Sequence, residues 1–120
     1  MQKLFSSQIS TKGEHKFVDL INDIMTKPDF LKLNVNEFSE KTGYSRMQLD
    51  RLMQIHFKQT PHEFLTNYRL RYAESLLLST DMSIQEICET IGYSEMPIFC
   101  SNFKKVYGTT PLKYKNNNRQ

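Results

Sequence analysis

Few of the side chains able to do chemistry in this 120-residue chain stand at catalytic or metal-binding spacing. Asp19 and Asp23 are four apart, which would bring two carboxylates to one helix face, but a solvated face of an amphipathic helix accounts for them. Cys88 and Cys100 are twelve apart, and His15, His56 and His62 form no ligand pair at zinc spacing. No nucleophile stands beside a base. The expectation is therefore no enzyme, no metal and no cofactor. What the ionisable groups do show is segregation. Residues 1–40 carry five basic and six acidic side chains, residues 41–72 six and two, residues 73–100 none and five, and residues 101–120 five and none. Two basic stretches parted by an acidic one suit a chain that meets a polyanion at two places and turns an acidic flank to solvent.

With 38% apolar residues, the chain has material for one core or for two small ones sharing an element, and not for a deep substrate cleft. No run approaches the roughly 18 apolar residues of a membrane span, and residues 1–10 lack the pattern of a signal peptide. A cytoplasmic protein is expected, with Cys88 as a small, reduced, buried helix residue.

The elements that would position the charges come from an internal repeat. Val35–Ser45 aligns with Ile84–Ser94 at an offset of 49, sharing Glu37 with Glu86, Glu40 with Glu89, and Gly-Tyr-Ser at 43–45 and 92–94. Further on the offset is 50, pairing Met53 with Phe103, Phe57 with Tyr107, and the two Thr-Pro pairs, so the second unit holds one extra residue after its turn. Each unit has the period of two short helices broken by a glycine: Val35, Phe38 and Thr42 on one face, then Leu49, Leu52, Met53 and Phe57 on the next. Ser39 and Cys88 are the small residues four before each glycine, where helices press together; Tyr44 and Tyr93 plug the corners. Asn34 or Asn36, Ser45, Ser83 and Ser94 are the expected N-caps, Ser83 with Glu86 as a capping box.

Between the units, residues 61–79 read as one helix about 28 Å long, close to the turn of a B-form duplex, with Phe64, Leu65, Tyr68, Tyr72 and Leu76 as its core stripe. Upstream, Phe17, Leu20, Ile21, Ile24 and Met25 form the face of an opening helix that stops near Pro28. The expected organisation is a flexible segment at 1–13, a double helix-turn-helix domain at 14–115 (lobe one about 14–59, linker helix about 61–79, lobe two about 83–115) and a disordered tail at 116–120. The fold class is all-α, about seven helices in two lobes joined by one long central helix.

Gly43-Tyr44-Ser45, Tyr68-Arg69-Leu70, Ala73, Leu76-Leu77, Ile84, Ile87, Gly92-Tyr93-Ser94, Phe99, Phe103-Lys104-Lys105, Gly108-Thr109-Thr110-Pro111 and Tyr114 occur in order and correctly spaced. Over these residues the chain resembles the DNA-binding domain of the AraC/XylS family of transcription regulators. A weaker resemblance joins the opening segment to the output domains of hybrid two-component sensors. The family resemblance implies recognition helices at 45–57 and 94–107 in adjacent major grooves, double-stranded DNA as partner, RNA polymerase as a second one, and a role as activator or regulator at promoters. A sensory domain or effector would lie outside these residues. It also implies base-reading positions at Arg46, Met47, Gln48, Asp50 and Arg51, of which Arg51 is the strongest because a guanidinium bonds guanine O6 and N7 together. Lys58, Lys104 and Lys105 are the phosphate candidates. The second unit departs from the family pattern, with Met96, Pro97, Ile98 and Ser101 at its reading positions, of which only Ser101 can hydrogen-bond a base. The alternative is a protein-binding adaptor that retains the scaffold.

Overall fold

The computed structural model describes residues 12–118, and within them seven α-helices and no strand. They are α1 (Lys12–Met25), α2 (Val35–Thr42), α3 (Arg46–Phe57), α4 (Pro61–Ser79), α5 (Ile84–Thr90), α6 (Met96–Tyr107) and α7 (Pro111–Asn118), with a 3-10 turn at Pro28–Lys32. No described helix is long and apolar enough to cross a membrane. The all-α, double helix-turn-helix class read from the repeat is the one observed.

Local chemistry explains where most helices begin and end. Asn34 caps α2: its Oδ1 accepts from the Glu37 N–H at 2.8 Å, and the Glu37 carboxylate accepts from the Asn34 N–H at 2.9 Å. Asn36, the other candidate cap, is the second residue of the helix. Ser83 and Glu86 make the same reciprocal pair at α5, and Thr60 and Glu63 do so at α4. Gly43 ends α2 at φ +80°, a conformation that costs an L side chain about 1–2 kcal/mol. Ser45 caps α3 as expected. Ser94 does not cap α6. The cap position is Glu95, with no side-chain bond to the helix, because the extra residue of the second unit falls here and moves the helix start to Met96.

Two compact units divide the chain within α4, one through Leu65 and the other from Thr66. The first core is a phenylalanine cluster. Phe57 and Phe64 meet edge to face with centroids 4.9 Å apart, Phe30 and Phe38 do so at 5.8 Å, and Phe38 stacks on Phe64 at 6.2 Å. Phe17 and Ile21 of α1 are buried with them, with Leu20 half-buried at the edge. Phe30 enters from the 3-10 turn that follows Pro28, an element the periodicity did not announce. The second core joins Leu70, Ala73 and Leu77 of α4 to Ile87, Cys88 and Ile91, and to Phe99 and Phe103 of α6.

Each half of α4 therefore serves a different core. Phe64 and Leu65 belong to the first set, while Leu70, Ala73 and Leu77 belong to the second. The single stripe expected along this helix is wrong at Tyr72, which is exposed, and it omits Leu70, Ala73 and Leu77; Leu76 is half-buried against the second core, and Tyr68 is half-buried. A stripe that runs the length of a helix presupposes one core, and this helix has two.

The disordered tail expected at 116–120 is likewise corrected for 116–118, which continue α7. Asn118 Nδ2 donates to the Tyr114 carbonyl at 2.8 Å, satisfying an acceptor of the last turn, and Lys115 Nζ donates to the Met82 carbonyl at 3.2 Å. Most of the segment expected to be flexible at 1–13, and residues 119–120, lie outside the described residues. Tyr107 and Tyr114 both donate to the Glu74 carboxylate, tying α6 and α7 to α4 within the second unit.

Candidate nucleic-acid interface

Each reading helix is set by a tight turn of the same construction. In the first, Ser39 Oγ donates to the Tyr44 carbonyl at 2.7 Å, across the turn made by Gly43. In the second, the Cys88 thiol donates to the Tyr93 carbonyl at 3.7 Å, around Gly92 at φ +91°. The small residue four before the glycine thus leaves room for close approach and also binds the far side of the turn. Tyr44 packs on Phe17 and Tyr93 on Phe99, closing each corner.

Helix α3 buries Leu49, Met53 and Phe57 and leaves an outward arc of Met47, Gln48, Arg51, Gln54 and Ile55. Met47 is 82% exposed. Arg51 forms no ion pair with Asp50 or another carboxylate among the described residues, so its guanidinium is available. Asp50, Arg51 and Gln54 line a shallow groove closed at one side by Pro61 and His62 at the start of α4. Arg46 is held differently: its guanidinium donates to Asn36 Oδ1 at 2.8 Å, so this residue of the first turn is braced against α2. Lys58 sits just past the helix in the left-handed region, at φ +59°, with Nζ 3.4 Å from the Ile55 carbonyl.

On α6, Phe99 and Phe103 are buried, and the outward arc holds Pro97, Ile98, Ser101, Lys104 and Lys105. Pro97 falls in the first turn, where no intrahelical donor is lost. Met96, expected to read bases, instead packs half-buried against the second core, since it opens the same face as Phe99 and Phe103. Gly108 ends α6 at φ +81°, at the position Lys58 holds in the first unit. Arg69, one of the cations of the basic stretch at 41–72, is half-buried; desolvation lowers the pKa of its guanidinium, and nearby Tyr93 partly opposes the shift. No group of three or more His, Cys, Asp or Glu suited to a metal occurs among the described residues.

A helix-turn-helix domain family matches residues 38–117, two-thirds of the chain and both turns. A solved AraC-type DNA-binding-domain regulator from Chromobacterium violaceum superposes with a TM-score of 0.76 at 25% identity, covering 90% of this chain and 96% of that one. This chain belongs to the AraC-type family of helix-turn-helix transcription regulators. The xylose operon regulatory protein of Escherichia coli K12 is 35% identical over 88 residues, 73% of this chain and 22% of that protein. The probable transcription factor PqrA of Proteus vulgaris is 33% identical over 71% of this chain and 70% of its own length. The C-terminal domain of the two-component response regulator yesN from Fusobacterium nucleatum is 26% identical with a TM-score of 0.73, covering 88% and 99% of the two chains. This AraC-type chain thus spans about a fifth of the length of the xylose regulator.

In this AraC-type domain the structure gathers Met47, Gln48 and Arg51 on one outward arc and Pro97, Ser101, Lys104 and Lys105 on another, and it diverts Arg46 and Met96 to contacts within their own units. Gln54 was missed by the sequence reading although it lies one turn beyond Arg51 and two beyond Met47; extending the outward positions by the same helical period finds it. Asn36, which holds Arg46, has no such signal, because the two are ten residues apart and on different helices.

Proposed function

We propose that this AraC-type domain binds double-stranded DNA with α3 as its principal base-reading helix and α6 as a second, and regulates transcription at promoters, in the cytoplasm and beside RNA polymerase. The observation that carries the proposal is the outward arc of α3, where Arg51 stands between Gln48 and Gln54 with no carboxylate partner among the described residues. A guanidinium and two carboxamides are the side chains that make paired hydrogen bonds to guanine and adenine edges in the major groove. Lys104 and Lys105 end the arc of α6 in a stretch of five basic and no acidic residues, which fits contacts to phosphate. Lys58, at the end of α3, serves the same purpose in the first unit.

The test is binding to a site enriched from a random duplex pool, measured by fluorescence anisotropy across a salt series. Arg51→Ala is expected to cost about 1–3 kcal/mol on the enriched site and to relax preference at one or two base pairs. Lys104→Ala is expected to weaken all sequences alike and to flatten the salt dependence by about one unit of slope. Equal losses for Arg51→Ala on enriched and random DNA would remove Arg51 from the reading face. Absence of salt-dependent binding to any duplex would favour the adaptor reading.

A further inference from the structure

The reading arc of α6 differs in chemistry from that of α3. By the offset of 50, Pro97 and Ile98 occupy the positions of Met47 and Gln48, and Ser101 that of Arg51. Pro97 is exposed and Ile98 is 50% exposed, adjacent on the first turn, while the neighbouring Met96 turns inward. The first turn therefore offers a continuous apolar surface, and no hydrogen-bonding side chain occurs on the outward arc before Ser101. Glu95, exposed at the cap, borders it.

This apolar surface is set among cations. Lys104 and Lys105 lie further along the same arc, Lys113 is exposed on α7, and residues 101–120 contain no carboxylate. A protein partner suited to Pro97 and Ile98 alone would be apolar and would gain nothing from the lysines. A duplex matches both features. Its phosphates complement the lysines, and its major groove displays one apolar group, the C5-methyl of thymine. A proline ring has a fixed backbone and no side-chain freedom to lose, and an isoleucine is stiff at χ1, so both lose little entropy on forming such a contact.

We propose that α6 selects thymine through its C5-methyl group, with Pro97 and Ile98 as the specificity-determining residues and Lys104 and Lys105 holding the helix on the backbone. This rests on the DNA-binding reading above and adds to it the base that the second unit distinguishes and the group by which it does so.

Deoxyuridine isolates the proposed contact, because it differs from thymidine by the methyl group alone and keeps every hydrogen-bonding edge. The experiment replaces each thymine of the enriched site in turn and measures affinity for the full chain, for Ile98→Ala and for Arg51→Ala. Ile98 is an outward residue of a helix that alanine favours, so the variant keeps the fold, which circular dichroism checks. At one or more thymines the parent is expected to lose affinity about three- to five-fold on losing the methyl, the effect of one buried methyl group. At those positions Ile98→Ala is expected to show a loss of less than about 1.5-fold, and Arg51→Ala to keep the parent's loss, as coupling confined to one contact requires. Salt-dependent binding in which every uracil effect persists undiminished in Ile98→Ala, or in which no uracil matters, overturns the proposal while leaving the DNA-binding reading in place. Failure to bind any duplex overturns both.

Discussion

Lys58 adopts φ +59° and ψ +30° at the end of α3, the conformation that Gly108 supplies at the end of α6. It is the non-glycine residue of positive φ among the described residues. For an L-residue that conformation costs about 1–2 kcal/mol. Glycine removes the penalty but has more freedom to lose on folding, about 0.5–1 kcal/mol. The Lys58 ammonium, 3.4 Å from the Ile55 carbonyl in an exposed position, adds a few tenths of a kcal/mol at most through the helix dipole. Lys58→Gly is therefore expected to stabilise the protein by about 0.5 kcal/mol, a rise in melting temperature of about 1–4 °C. The same substitution removes a charge from the proposed DNA face. The slope of log affinity against log salt should fall by about 0.9. Thermal melting followed by circular dichroism and a salt series by anisotropy read the two effects separately, and they have opposite signs for function. Lys58→Ala is the control: it loses the charge and keeps the strained backbone, so it should match the glycine variant in salt slope and gain no stability. A glycine variant that melts below the parent would refute the strain argument. An unchanged slope in both variants would take Lys58 off the phosphate backbone.

Phe103 is fully buried, stacked on Tyr107 at 4.4 Å and edge-on to Tyr114 at 5.4 Å, so Phe103→Ala should cost about 3–5 kcal/mol and loosen the second unit first. A denaturation curve that overlays the parent would place Phe103 outside the core. Burial, and then the bond to Glu74, push the Tyr107 phenol from about 10 up to about 12, so the folded state favours the protonated form. The stability this brings is complete below about pH 10 and is lost as pH rises towards 12. In Glu74→Gln, tyrosinate absorbance should appear at lower pH than in the parent, and identical titrations would show that Glu74 does not hold the two phenols.

The helices were legible because their signals are local. Asn34 with Glu37, Ser83 with Glu86 and Gly43 each act within four residues, and a single chain displays them directly. The repeat exposed one extra residue after the second turn, but the cap expected at Ser94 placed the start of α6 one residue early. What the sequence concealed depends on distance or on a shared element. The brace between Asn36 and Arg46 joins two helices, and the Glu74 clamp reaches residues 33 and 40 positions away. The stripe on α4 failed because periodicity detects apolar residues without saying which core each one enters: Leu70, Ala73 and Leu77 face the second core, and Tyr72, in the same half of the helix, is exposed. Among the reading residues, type and rough position were visible, while the inward turn of Met96 depended on the register of α6 and not on its composition.

The two turns do the same mechanical work with different atoms, oxygen at Ser39 and sulfur at Cys88, and this gives the second unit a natural reporter that the first lacks. Cys88 is buried, and desolvation first, then Cys100 and Glu89, push its pKa up, so its thiol is a poor nucleophile while the turn is closed. With Cys100 replaced by alanine, the rate at which a maleimide or disulfide reagent captures Cys88 measures how often that turn opens in the folded protein. Comparing that rate with and without bound duplex would show whether the second reading helix is clamped when the chain is on its site.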